Sequence, residues 1–547
     1  MGDSQKRAAV AIKASEKRIL LKNGFIVDGT KRPGYTGDLL IEGEKIKEIS
    51  PLPISFDGES LDCTGKVVAP GFIDAHSHMD RTLAYEGHEE LKTPFTAQGC
   101  TTFVAGNCGF SVGGLCRENP YWNAITLYDQ FPRPVTWDDM GGYFAHLERI
   151  GLSHNLVMLA GHGTEWITLR GRNPNPFSAE EKRALFKRLE EALDDGAAGV
   201  SFGLQYEPDI FCPLDQIKEV ARLLKKKDKV LTVHGRAYSV ISGAYRDRNT
   251  PHNVLAIKEM IEVARETGVR LQYSHLMFAG TKSYPSYREC LALIEQASAE
   301  GVDIMTDTYP YHCGYSVINV ILPGWFLADL PANYRKPEAV ERVERGLNRM
   351  SDHIGFGFDD IQIMHADHPD LLKYDGWFLG EIARDLGLSP AKTALLISEK
   401  TRGRAHILNH HYSDREIIEA LIRHPACLFM TDSTVSPSGL QNPASFGSFP
   451  LVLQYARERK LISLEEAVHK MTGATAERFH LQDRGVLQKG YAADITVFDR
   501  EKIRDNNTLT RTDQTPTGIE AVFINGRLVK DANGVDGSVK AGKVIRI

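Results

Sequence analysis

The stretch Val67–Asp80, VVAPGFIDAHSHMD, sets His76 and His78 two residues apart at the end of an apolar run. Side chains in a strand alternate faces, so both imidazoles point the same way. Two imidazoles on one face at a strand's carboxyl end make half of a metal site. Further candidates end apolar runs in the same fashion: Cys108 in TTFVAGNCG, His162 in NLVMLAGHG, His234 in KVLTVHGR, His275 in VRLQYSH and Asp432 in LFMTDS. Imidazole nitrogen, thiolate sulfur and carboxylate oxygen are the donors that zinc takes. A carboxylate beside bound water can accept its proton and return it to a leaving group, which assigns Asp432 to catalysis. The pattern implies a metal-dependent hydrolase.

The elements that must position these residues are strands of one parallel sheet. Eight apolar segments alternate with helical stretches: VAPGFIDAHSH, TTFVAGNCG, NLVMLAGHG, AAGVSFGL, KVLTVHGR, VRLQYSH, VDIMTDTYP and LFMTDS. The helical stretches include SAEEKRALFKRLEEALDDG, which Ser178 opens and Gly196 closes, and NVLAIKEMIEVARETG, closed by Gly268. Repeated strand–helix alternation predicts an α/β fold, a (β/α)8 TIM-like barrel whose active site lies at the carboxyl ends of the strands. Both ends of the chain instead alternate in short segments punctuated by Asn-Gly, Asp-Gly and Glu-Gly, which predicts a small β-sandwich built from both termini. The expected division is a loose tail at 1–18, a composite β-sandwich at 19–66 and 485–547, and the barrel at 67–484. Insertions are expected near 110–154, an aromatic lid or pocket wall, and near 314–425, extra helices. Asn23-Gly24 and Asn525-Gly526 are both expected to sit in hairpins.

With 42% hydrophobic and 25% charged residues and a net charge of −6, the 547-residue chain reads as globular, with no long charged run to suggest nucleic acid or a membrane surface. No apolar run approaches membrane-spanning length. The 8 cysteines lack CxxC spacing, so a disulfide framework is not expected and a cytoplasmic location is. Cys63, Cys100, Cys116, Cys212, Cys290, Cys313 and Cys427 read as ordinary thiols, and His365, His368, His410 and His411 as loop residues. Oligomeric state is left open, a homo-oligomer included.

Strand-end ligands of type HxH, His, His and Asp resemble the amidohydrolase superfamily. Many of its members bridge two metal ions with a modified lysine after the fourth strand; here GVSFGLQYEPD offers none, and Cys108 in GNCGFS stands available instead. A metal-bound thiolate is anionic and suits zinc. QGCTTFVAGNCGFS, GVSFGLQYEP, LQYSHL, TDTYPY and the run from FGSFPLVLQYARE to DRGVLQKGYAADITVFD resemble the N-acyl-D-amino-acid deacylases (D-aminoacylases), from about Ile19 onward. The resemblance implies a zinc-dependent hydrolase of a non-peptide C–N amide bond in a small-molecule substrate. It implies a tight zinc site of Cys108, His234 and His275, and a second, weaker site at His76, His78, Cys108 and Asp432. Tyr206 and Tyr309 resemble pocket tyrosines, and His162 is read as supporting a ligand rather than binding metal. Asp74 and Asp307 either orient a histidine or cap backbone.

The family's usual lysine after SHL is here Met277, and its HPR element is replaced by Gln441-Asn442-Pro443-Ala444-Ser445. Arg236 remains as the matching cation, with Arg170 and Lys282 unplaced. Rival readings are a hydantoinase-like hydrolase of another linear or cyclic amide, a nucleobase-type deaminase, and an amidohydrolase-fold scaffold without activity.

Overall fold

Eight strands, β1 (Phe72–Asp74), β2 (Cys100–Ala105), β3 (Asn155–Gly161), β4 (Gly199–Gly203), β5 (Val230–His234), β6 (Arg270–Tyr273), β7 (Ile304–Thr308) and β8 (Cys427–Phe429), pair in parallel in sequence order. The computed structural model describes residues 18–121 and 135–547. The strands are buried on both faces, so they read as continuous apolar runs rather than alternating ones. The barrel closes between β1 and β8 at their carboxyl ends. Ala75 N donates to Phe429 O at 3.3 Å and Asp432 N to His76 O at 2.9 Å. Asp74 completes the seam by accepting from Thr431 N at 3.0 Å and Thr431 Oγ1 at 2.6 Å, so it caps backbone. The closure therefore fixes the residues just beyond both strands, which are His76, His78 and Asp432.

Helices between the strands form where the sequence pattern places them. Ala179–Asp194 begins at a reciprocal cap between Ser178 and Glu181 and buries Leu185, Leu189, Ala192 and Leu193. His252–Thr267 stops at Gly268, whose φ of 66° suits a residue without a side chain.

The terminal strands share a separate nine-stranded sheet. Val67–Pro70 lies at its centre, parallel to Arg18–Ile26 and antiparallel to Ile495–Phe498. One core unites Ile19, Leu39, Ile41 and Val68 with Ile495, Val497 and Phe523 from the far end. The run that leads to the histidines thus belongs to two sheets, and the chain passes from one to the other at Pro70-Gly71. Asn525-Gly526 makes the expected tight hairpin turn, with φ of 45° and 73°. Asn23-Gly24 does not: it lies inside Arg18–Ile26 as an irregularity in the pairing, with Asn23 at φ 59°.

The insertion after β7 carries the expected helices Pro337–Asn348 and Leu379–Leu386. It also carries a three-stranded antiparallel sheet in which His406–Asn409 lies between Gly314–Val317 and Ile361–His365. In the earlier insertion, Met140–Ile150 is helical, and most of the aromatic loop Tyr121–Trp137 (122–134) lies outside the described residues, as does the 1–17 tail.

Candidate metal centre and active site

The candidate ligands lie at or just past the carboxyl ends of barrel strands, and three of them are carried on strained backbone. Cys108, His275 and Asp432 have φ of 55°, 31° and 47°, a left-handed conformation that costs a non-glycine residue roughly 1–3 kcal/mol. Surrounding hydrogen bonds hold them there: His275 N donates to Asp307 Oδ1 at 2.6 Å, and Asp432 N to His76 O at 2.9 Å. Strain of this kind concentrates at functional sites.

The side chains converge. His76, His78, Cys108 and Asp432 form one group of potential donors and Cys108, His234 and His275 another, with the donor atoms in each within 4.8 Å of one another. Cys108 Sγ is common to both. It lies 3.4 Å from His76 Nε2, 3.4 Å from His275 Nε2 and 3.7 Å from His234 Nδ1. Asp432 Oδ1 stands 3.3 Å from Nε2 of both His76 and His78. Behind these, Gln205 Oε1 lies 3.0 Å from His234 Nε2, fixing that ring. Asp307 Oδ1 lies 3.6 Å from His76 Nδ1, and its Oδ2 accepts from Gln272 at 2.6 Å.

The electrostatics suit a cation. Burial works to raise the Cys108 thiol, but the His76 and His275 charges and hydrogen bonds from His234 and His275 hold it well below its usual range. Asp432 is likewise opposed by burial yet held well below the carboxylate range by His275, His76 and His78. Burial and the neighbouring His275 lower His234 to about 4, so it presents a neutral imidazole. Thiolate, carboxylate and imidazole are the donors zinc binds, and Nε2 of His76, His78 and His275 and Nδ1 of His234 all face Cys108 or Asp432. The residues present fit a divalent metal ion.

A cavity of about 70 Å³ lies over the cluster. It is lined by His78, Cys108, His234, His275 and Asp432 together with Tyr206, Met277 and Tyr309. Tyr309 Oη lies 3.8 Å from Met277 Sδ. Sequence reasoning did not single out Arg81, Gln205, Tyr238, Tyr315 or Tyr412, which also face this cavity. Gln205 could have been found from its position two residues past β4; Tyr315 and Tyr412 come from the insertion, whose course the sequence pattern does not reveal.

Other candidates lie elsewhere. Arg236, expected to meet substrate, is turned to Glu259 Oε1 at 2.9 Å and donates to the carbonyls of Cys212 (2.7 Å) and Ile210 (3.3 Å). Its guanidinium braces a loop. Arg170 donates to Pro176 O and stacks on Phe177, and Lys282 donates to Asp352 O. Ala444, buried at the start of helix Ala444–Arg459, is not among the residues that line the cavity. His162 is fully buried behind the cluster, 2.6 Å from Asp209.

Comparison with known proteins agrees with this geometry. Residues 59–203 and 429–530 match the model of the Amidohydrolase family. A D-aminoacylase of Alcaligenes xylosoxydans xylosoxydans is 30% identical, covering 96% of this chain and 97% of the relative. The crystal structure of N-acyl-D-glutamate deacylase from Bordetella bronchiseptica, complexed with zinc and a phosphonate inhibitor, superposes with a TM-score of 0.78 at 27% identity, covering 97% of this chain and all of that one. A D-aminoacylase structure gives 0.79 at 28% identity, covering 97% and 99%. A strained set of strand-end donors around one shared cysteine, in a barrel that matches these enzymes along nearly its whole length, leads to one conclusion: the chain belongs to the N-acyl-D-amino-acid deacylase family of amidohydrolases, hydrolases of carbon–nitrogen bonds other than peptide bonds.

Proposed function

We propose that this protein is a zinc-dependent deacylase that hydrolyses the amide of a small N-acylated amine. The observation that carries this reading is the convergence of six donor side chains, with Cys108 shared between the two groups, beneath one cavity. Cys108, His234 and His275 would hold one zinc ion tightly, and His76, His78 and Asp432, sharing Cys108, a second and weaker one. Zinc held there would supply Lewis-acid polarisation of the carbonyl and a lowered pKa for water. The Asp432 carboxylate takes the proton of the attacking water and hands it to the leaving amine nitrogen. Its Oδ1 faces the two imidazoles, which leaves Oδ2 to carry that proton. Tyr309, kept a neutral phenol by burial, and Tyr206, whose ring lies 4.4 Å from that of His234, would flank the acyl group.

A second reading, a bulkier or uncharged amide rather than a plain N-acyl-D-amino acid, is favoured by one specific observation. At the wall where Met277 meets Tyr309 the cavity is apolar and aromatic, and its lining also includes Ala279, Val320 and Phe110. That wall favours a bulky or uncharged group on the amide. The eight free cysteines are compatible with a reducing, cytoplasmic setting, and among the described residues no helix is long and apolar enough to cross a membrane. A screen of N-acyl-D- and N-acyl-L-amino acids, small amides and lactams with zinc supplied tests the reading. Hydrolysis of a lactam or hydantoin in preference to every linear N-acyl compound would replace it.

A further inference from the structure

The Cys108 turn needs support that its own strand does not give. Cys108 sits at φ 55° and Gly109 at φ 78°, so the sulfur is presented by a pair of left-handed residues. What lies behind them is a fully buried polar set that no step of the hydrolysis uses. His162 Nδ1 lies 2.6 Å from Asp209 Oδ1, and its Nε2 lies 3.0 Å from Gln216 Nε2. The ring is fixed further by stacking on Phe202, with centroids 4.2 Å apart. The second oxygen of Asp209 accepts from Gly203 N at 2.9 Å, at the end of β4.

Gly203 and Gly109 are where this set touches the ligand turn. A side-chain carbon on Gly203 would collide with the Cys108 carbonyl oxygen. One on Gly109 would come within 2.5 Å of Asp209 Oδ2 and 2.7 Å of Gly203 N. The turn is tied down as well by Thr164 N, which donates to Gly109 O at 3.0 Å from the helix that His162 begins, and by Gly109 N donating to Ser201 Oγ at 3.1 Å. Two residues beyond Gly203 comes Gln205, which orients His234. One carboxylate therefore clamps the strand end against which both Cys108 and the His234 partner are set.

We infer that His162 and Asp209 are positioning residues for the metal centre: the pair fixes the end of β4, and through it the Cys108 thiolate and the Gln205–His234 contact. Neither is a ligand. The inference rests on the reading of Cys108 and His234 as zinc donors. Groups that orient ligands in this way typically change metal affinity ten- to a hundredfold when lost.

The test is the rate at which zinc passes from the purified, zinc-loaded protein to a chromogenic chelator, measured well below the melting temperature. His162→Phe, which keeps the stacking surface, and Asp209→Asn should release zinc at least tenfold faster than wild type. His162→Gln, which retains a donor toward Asp209, should recover part of the difference. Gln216→Leu serves as a milder variant should the others fold poorly. Asp494→Asn, which disturbs a buried pair with Arg484 remote from the cavity, controls for lost stability. Release from the His162 and Asp209 variants no faster than from wild type, or no faster than from an equally destabilised Asp494 variant, overturns the inference. A wild-type protein that holds no zinc at all would instead sink the underlying ligand assignment.

Discussion

Nδ1 of His234 and Nε2 of His275 stand 2.8 Å apart, both facing the sulfur of Cys108. Two ring nitrogens and a thiolate aimed at one place form a donor set for one cation: burial keeps His234 neutral, while His275, which burial lowers but Asp432 and Cys108 raise on balance, gives up a proton when the metal binds. Serine lacks both the softness and the acidity to replace that sulfur. Cys108→Ser is expected to lose most of the bound zinc and most activity while keeping the barrel, as read by metal analysis and far-ultraviolet circular dichroism. Since no carbamate has to form, apo-protein should be reactivated by zinc without bicarbonate. A serine variant with normal zinc content and turnover would remove Cys108 from the centre.

Asp432 joins β8 to the cluster and accepts the role of proton carrier from its place beside His76 and His78. Asp432→Asn keeps the shape and loses the base. We expect turnover to fall by more than about 10²-fold, the usual scale for an essential proton-transfer group, with KM changed less. Near-normal turnover in both Asp432→Asn and Asp432→Ala would mean that another group carries the proton.

The convergence of the candidate ligands was legible because strand alternation and the strand-end rule act locally: His76, His78, Cys108, His234, His275 and Asp432 each end or follow an apolar run. What stayed hidden depends on long-range pairing. Gly314–Val317, Ile361–His365 and His406–Asn409 are only four or five residues each and pair across most of the insertion, so nothing nearby marks them as a sheet. The setting of Arg236 was hidden for a related reason. Its position after β5 suggests a pocket residue, yet Glu259, from the following helix, turns it away. Arg81 lies a turn past the histidine pair, where sequence spacing says nothing about which way a side chain points.

Acid should weaken the fold through histidines remote from the chemistry. His154 is buried between Phe103 and Thr96, and burial, reinforced by Lys92 and Lys540, pushes it down to about 3. An unfolded histidine titrates near 6.5, so the unfolded chain takes up this proton first as pH falls. The stabilisation is full above about 6.5 and is lost toward 3, at up to roughly 1.4 kcal/mol per pH unit. Relative to wild type, His154→Gln should be less stable at neutral pH, with a deficit that shrinks by roughly 2–3 kcal/mol by pH 4.5. Urea unfolding at both pH values measures it, and a constant deficit would rule out this histidine as a source of acid sensitivity.

Specificity turns on Met277. Its sulfur lies 3.8 Å from the Tyr309 hydroxyl in the cavity wall, at the position where the family resemblance leads one to expect a lysine. A charge-assisted hydrogen bond contributes roughly 1.5–3 kcal/mol, so a pocket without one there should bind carboxylate-bearing substrates about ten- to a hundredfold more weakly. We expect the wild type to act poorly on N-acetyl-D-methionine and better on bulkier or uncharged amides. Met277→Lys should lower KM for the N-acetyl-D-amino acid by about tenfold or more and leave its uncharged carboxamide little changed. Arg236 is the companion test. Because it is engaged with Glu259 and two backbone carbonyls, Arg236→Ala should lower the melting temperature without altering the ratio of charged to uncharged substrate. Efficient, D-selective hydrolysis of N-acetyl-D-methionine by the wild type, lost on Arg236→Ala, would return Arg236 to the substrate site and leave Met277 a bystander.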